Sequence, residues 1–506
     1  MKRVMNLQRK RKYALIGLLL ITLLSFFVGG CNKEKIKEAI GDEIVYVNKA
    51  DGYQYNAPEG FSIDEEFMPY AVRFLSDRCT IEIYAEKCNN QDEVLSYINY
   101  TNCAVTSDKD NYFDVKQIEV AGITVLSWNR QKLSKIKNDK NYYMKTDIPT
   151  KEMVYTILIK SSFKIEDYSS YIEAFKVIKP SKQKEKAPKI NYASNRKFNA
   201  ETEAFYDKYF KNSKKVEWGI YQYDYMETQE LEKIESRIEH KFKLLLLYSE
   251  FSEEYDKHQV RAFLDKAYSE NRVVELTLQP KKYHQKGNEL FRVLDGYYDE
   301  FLHAYADDIA DFSHPVLFRF GNEMNGDWCE YSGYRMSLDT ELYREMYRYI
   351  YNIFEEHNAR NVIWVWNPNG KSFPDFNWNR EEMYYPGNEY VYVLGLTLYN
   401  TGNFYDGEEW TEFSKLYTPL YEKAIKQYDM PFMITEFSCA RKGGNKEKWT
   451  KQMLKEIEKF PNIKFAVWWN GGDFTPDAVL ARSYYINDSE EMYEVFKRYF
   501  ETSSEV

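Results

Sequence analysis

Two glutamates sit where an apolar run gives way to polar residues. One run ends Arg319-Phe320-Gly321-Asn322-Glu323-Met324-Asn325-Gly326-Asp327-Trp328, and another Phe432-Met433-Ile434-Thr435-Glu436-Phe437. In an extended chain alternate side chains share a face. Arg319, Gly321 and Glu323 should therefore project together, as should Phe432, Ile434 and Glu436. Two carboxyls facing one another can cleave a glycosidic bond. One protonates the leaving oxygen, and the other attacks the anomeric carbon or activates water. Closeness itself splits their titrations, so that one stays protonated while the other is ionised. A plainer use of Glu323, as an ion-pair partner of Arg319, stays open on these residues alone.

The elements that would position such a pair can be read from the chain around them. Eight strand-like apolar segments occupy residues 216–223, 243–251, 273–279, 316–322, 361–367, 392–399, 431–437 and 463–470. Several are nearly continuous, such as Leu244-Leu245-Leu246-Leu247, as parallel strands buried on both faces require. Amphipathic stretches, among them 342–356 and 446–459, lie between them. Eight strands alternating with helices predict a (β/α)8 barrel, whose chemistry gathers at the C-terminal strand ends. Glu323 and Glu436 end the fourth and seventh segments. A doubly wound open sheet would want a glycine-rich phosphate loop after its first strand, and the sequence has none.

Glu-Met-Asn-Gly-x-Trp at 323–328, on a fourth strand, resembles glycoside hydrolase family 26 of clan A, dominated by β-mannanases; the resemblance spans residues 216–500. It implies Glu323 as acid/base, Glu436 as nucleophile and anomeric retention. It also implies Trp328 beside the cleavage point, Tyr399 hydrogen-bonded to the nucleophile, and Trp468 or Trp469 as subsite floor. Arg319, Asn322 and Trp366 complete the expected substrate-binding set. Trp366, Trp468 and Trp469 could equally be core, and of adjacent Trp468 and Trp469 one must point outward. Asn367, Asn369 and Asn400 end strands and could touch sugar hydroxyls or cap loops. The family usually has histidine before the acid/base, where this chain has Asn322. That substitution is common in clan A at large, and it loosens the link to mannan in favour of other β-linked glycans.

Composition bounds the partners. The formal charge is −10, and the first 30 residues carry basic side chains but no acidic ones, so the remainder is more acidic still. Such a body repels phosphate backbones and excludes nucleic acid as an expected partner, whereas a neutral polysaccharide suits it. Six histidines, none at i, i+4 spacing, and the lack of Cys-x-x-Cys point to no metal and no cofactor. A monomer is expected.

Residues 1–31 read as a lipoprotein signal peptide: a basic head, an apolar run of 15 residues from Ala14, then Gly29-Gly30-Cys31. Cys31 would carry the lipid, placing the body on the extracellular face of a bacterial membrane. A charged tether (32–44), an α+β domain without a motif of its own (45–178), a Lys/Pro linker (179–197) and the barrel (198–506) would follow. The other cysteines (Cys79, Cys88, Cys103, Cys329, Cys439) are odd in number and read as free thiols, although a bridge between Cys329 and Cys439 is conceivable. Two other uses of the chain stay open: a spent barrel that binds carbohydrate, or an endoglucanase acting on the cell's own exopolysaccharide.

Overall fold

The computed structural model describes residues 39–40, 43–182, 184, 187, 189–191, 198–252, 257–280 and 288–504. The leader with Cys31, most of the tether and part of the linker lie outside them. The chain falls into two compact units, one of the described residues up to 61 with 170–184, the other of 62–169 with 185–504. The first holds a four-stranded sheet ordered Ala39–Ile40, Glu43–Asn48, Tyr53–Ala57 and Phe175–Val177.

The second unit contains a closed barrel of eight parallel strands. They are β1 (Glu217–Gln222), β2 (Leu244–Glu250), β3 (Val273–Gln279), β4 (Val316–Phe320), β5 (Val362–Trp366), β6 (Val393–Thr397), β7 (Phe432–Phe437) and β8 (Ile463–Asn470). The last closes on the first, with Glu217 opposite Phe465 and Gln222 opposite Asn470. Each of the eight apolar segments thus supplies one strand.

Helices cover the outer faces by the expected periodicity. In Glu341–Glu356, Leu342, Tyr343, Met346, Tyr347, Ile350, Ile353 and Phe354 are buried, a stripe at three- and four-residue spacing. Its rings meet outward-facing rings of the strands. Trp364 of β5 lies 5.5 Å from Tyr347, 5.3 Å from Phe354 and 4.9 Å from Phe318 of β4. Pairs of this kind contribute about 0.5–1.5 kcal/mol each beyond the area they bury.

The barrel interior is polar beneath its C-terminal mouth. Arg319, Glu275, Thr277, Asn367, Thr397 and Thr435 are all fully buried there. Gly395 makes room for two of them: a Cβ at that position would stand 2.7 Å from both Asn367 Cβ and Thr435 Cγ2. Asn367 Oδ1 accepts from Arg319 Nη1 at 2.9 Å and from Thr435 Oγ1 at 2.9 Å, which links three of these side chains into one network.

The same unit carries a seven-stranded antiparallel sheet, ordered Ser62–Asp64, Ala71–Leu75, Cys79–Lys87, Met153–Ser161, Tyr142–Pro149, Ile123–Asn129 and Phe113–Val120. Helix α1 (Gln91–Thr106) is capped by Asn90, whose side chain accepts from the Glu93 amide. Ion pairs tie this sheet to the barrel. Lys160 reaches Glu82 of its own sheet and Asp339 of the barrel, both at 2.8 Å, and Arg73 reaches Glu341 at 2.9 Å.

Candidate active site

A cleft of about 1180 Å³ opens at the C-terminal ends of the barrel strands, with Glu323 and Glu436 in its wall. The expected alternation does not deliver Glu323. Strand β4 stops at Phe320, and Gly321 and Glu323 take left-handed backbone conformations, with φ of 52° and 58°. That conformation is sterically costly for a glutamate, at about 1–3 kcal/mol. It is held by the Glu323 amide donating to Asn367 O at 2.7 Å and by the Gly326 amide donating to Glu323 O at 2.9 Å. The turn, rather than the pleat, aims the carboxyl. Glu436 is aimed by a register shift between Ile434 and Phe437 against β8, an irregularity of the kind that re-directs side chains near active sites.

The two carboxyls stand in different surroundings. Glu323 Oε1 accepts from Asn369 Nδ2 at 2.8 Å. Burial of its carboxyl, followed by the negative charge of Glu436, pushes it up to about 7 against the opposing help of Asn369 and Arg319. Glu436, itself buried, sits among donors. The Tyr248 hydroxyl donates to Oε2, Arg319 Nη2 approaches the same oxygen at 3.4 Å, and Asn322 Nδ2 donates to Oε1 at 3.4 Å. Asn322 is steadied in turn by Gln279 Nε2, which donates to its Oδ1 at 2.6 Å.

Arg319 is fully buried under the cleft. Its Nε lies 3.1 Å from Glu275 Oε1 but gives its hydrogen to Thr277 Oγ1 at 2.8 Å. Neither oxygen of Glu275 has a hydrogen-bond donor among the described residues. Burial above all, with Glu436 adding and Arg319 opposing, pushes the Glu275 carboxyl up to about 8. A carboxyl with that value is mostly protonated at pH 7, which leaves the guanidinium charge to Glu436.

Of the residues expected from sequence, Glu323, Glu436, Asn322, Trp328, Tyr399 and Trp469 line the cleft. Trp469 stacks on Tyr221 at 5.3 Å and 15° and meets Tyr399 edge-on at 6.3 Å. Trp328 stands across the cleft, 51% exposed. Arg319 supports Glu436 from below and does not reach the cleft surface. Trp468 and Trp366 are core, correcting their expected substrate contact. Trp468 packs on Phe437 and Phe496 and donates Nε1 to Tyr484 O at 2.9 Å. Trp366 packs on Tyr385 and Tyr428. The tyrosine bond to Glu436 expected of Tyr399 comes instead from Tyr248 on β2. Asn400 caps a loop, its Oδ1 accepting from the Thr411 amide at 3.1 Å. Cys329 and Cys439 are both free thiols. Sequence reasoning missed Tyr248, Gln279, Glu275 and Phe373. Glu275 alone carried a signal, as the single acid inside the apolar run Val273–Gln279.

Comparison with known proteins places these features. Endoglucanase H of Acetivibrio thermocellus is 28% identical over 215 residues, which are 42% of this chain and 23% of that protein. A mannan endo-1,4-beta-mannosidase of Bacillus subtilis (strain 168) is 27% identical over 181 residues, 33% of this chain and 43% of that one. The chain thus spans less than half the length of each of these relatives. Among solved structures, a modular endo-beta-1,4-mannanase from Cellulomonas fimi aligns with a TM-score of 0.46 at 17% identity, covering 61% of this chain and 76% of that one. Residues 220–467 match the family model described as Glycosyl hydrolase family 26. The match runs from the first strand of the barrel to the last, just under half of the chain, and over that stretch the chain is similar to this family.

Proposed function

We propose that the protein is a retaining endo-β-glycan hydrolase, β-1,4-mannanase-like, with Glu323 as acid/base and Glu436 as nucleophile. The observation that carries this reading is the opposed setting of the two carboxyls, one pushed up to about 7 and the other held by Arg319, Tyr248 and Asn322. Glu323 gives its proton to the glycosidic oxygen as the C1–O bond breaks, and Glu436 closes on C1 to form a glycosyl ester. Glu323, now a base, takes a proton from the water that cleaves the ester, and the anomeric configuration is restored. Trp469 and Trp328, on opposite sides of an open cleft, suit a polymer bound across the cleavage point.

A glucan is the second substrate reading, favoured by Asn322 in place of histidine and by the likeness to Endoglucanase H. A spent, sugar-binding barrel gives no reason to keep two mutually repelling carboxyls. The deciding experiment incubates the protein with mannan, glucomannan, carboxymethyl cellulose, mixed-linkage glucan and β-1,3-xylan, with Glu436→Ala in parallel. Release of reducing ends from one polymer, lost in the variant, supports the reading and names the substrate. Binding without cleavage overturns it. We also propose that Cys31 anchors the chain to the outer face of the membrane; Cys31→Ala should then move it from the membrane fraction to the medium.

A further inference from the structure

Helix α1 belongs to the seven-stranded sheet, yet its aromatic face rests on the loops that carry the cleft's rim. The Tyr100 hydroxyl donates to Asp327 Oδ2 at 2.8 Å, one residue before Trp328. The Tyr100 ring lies 4.6 Å from Tyr334 and 6.0 Å from Phe376, and Tyr97 meets Phe376 edge-on at 4.8 Å. The neighbouring strand Cys79–Lys87 adds a second tie: Asn377 donates its Nδ2 to Ala85 O at 2.6 Å and its amide to Glu86 Oε2 at 2.8 Å.

The two supported loops meet at the cleft. The Phe373 amide donates to Asn325 O at 2.8 Å, and Phe373 bridges to Gly326 in parallel fashion. The rings of Trp328 and Phe373 stand 5.4 Å apart at 52°. Gly326 lets the indole fold back over the turn, since a Cβ there would lie 2.4 Å from it. Both rings are about half exposed, 51% for Trp328 and 45% for Phe373. Rings with so little packing of their own take their position from the backbone that bears them, and here that backbone is fastened to the sheet.

We infer that the seven-stranded sheet is a specificity-determining part of the cleft, because α1 fixes the Trp328–Phe373 pair through Tyr100 and Tyr97. Holding the pair in place before a ligand arrives removes the ordering cost from binding. Tyr100 is a positioning residue, acting through Asp327. The ligand class rests on the proposed glycan hydrolase, but the mechanical coupling does not.

The test uses the full chain labelled with 5-fluorotryptophan and observed by ¹⁹F NMR, with Trp328→Phe identifying the Trp328 resonance among the ten tryptophans. In Tyr100→Ala that resonance should shift or broaden while the barrel-core resonances stay in place, and Tyr100→Phe should show a smaller change of the same kind. On the polymer that the wild-type protein cleaves, KM should rise about three- to tenfold at nearly constant kcat, the signature of weakened binding rather than weakened chemistry. An unmoved Trp328 resonance with unchanged KM in Tyr100→Ala, at a wild-type melting temperature, overturns the inference; should that variant not fold, Tyr100→Phe decides by the same readouts. If the wild-type protein cleaves no polymer, the hydrolase reading fails while the resonance still reports on the coupling.

Discussion

Replacing Glu323 with glutamine should make the folded protein more stable at neutral and alkaline pH while disabling it. The carboxyl is pushed from an ordinary 4.5 up to about 7. Its folded value therefore lies above its unfolded value, and between pH 4.5 and 7 the native state holds a proton that the unfolded chain has released. Stability contributed by that proton is complete below the unfolded value and is lost as pH rises through the folded one. Two and a half pH units correspond to about 3 kcal/mol, and water in the cleft, to which Glu323 is partly open, brings this to about 1–2 kcal/mol. Glutamine keeps the side-chain oxygen that accepts from Asn369 and the backbone that follows the same left-handed turn, so little offsets the gain. Thermal melts of both proteins from pH 4 to 9 should coincide at the acid end, draw apart as pH rises from about 4.5, and keep a constant separation above pH 7. The variant should end a few degrees higher, by about 2–4 °C per kcal/mol. A difference that does not change with pH, or a less stable variant at pH 8, would refute the raised carboxyl, set by burial and then by the charge of Glu436, on which the acid/base role depends.

Arg319→Ala should destabilise by about 3–5 kcal/mol in denaturant titrations, because it strips the buried counter-charge from Glu436. Glu275→Gln should remove a second stability loss, the one that in the wild-type protein develops as pH rises from 4.5 through about 8; its activity should stay within about threefold of wild type, since Thr277 and Asn367 still hold Arg319. Trp328→Ala should raise KM about tenfold on the polymer substrate while changing the unfolding free energy by only about 0.5 kcal/mol, as its ring is half exposed.

The barrel was legible because its strands are buried on both faces, which writes them as apolar runs that composition alone can pick out, and the structure returns each of the eight close to its expected limits. The glutamates were legible because each interrupts the end of such a run. What surrounds them was not. Alternation carried no information past Phe320, where two left-handed residues replace the pleat and turn Glu323 into the cleft. Trp468 and Trp469 are chemically alike in sequence, and only closure of β8 on β1 decides that Trp469 stacks on Tyr221 while Trp468 packs against the last helix. Tyr248 reaches Glu436 across 188 positions of chain, a pairing that no local pattern encodes. The support of the cleft rim by α1 is of the same kind, for Tyr100 and Asp327 are 227 positions apart.

The central claim is that Glu436 forms a covalent bond to the sugar. Incubation with a 2-deoxy-2-fluoro glycoside bearing a good leaving group, followed by peptide mass spectrometry, tests it directly, because the fluorine slows both formation and breakdown of the ester while the leaving group speeds its formation alone, so the ester accumulates. The account predicts a single glycosyl adduct on the peptide containing Glu436, absent in Glu436→Ala. Turnover with no adduct, or an adduct on another residue, would contradict it.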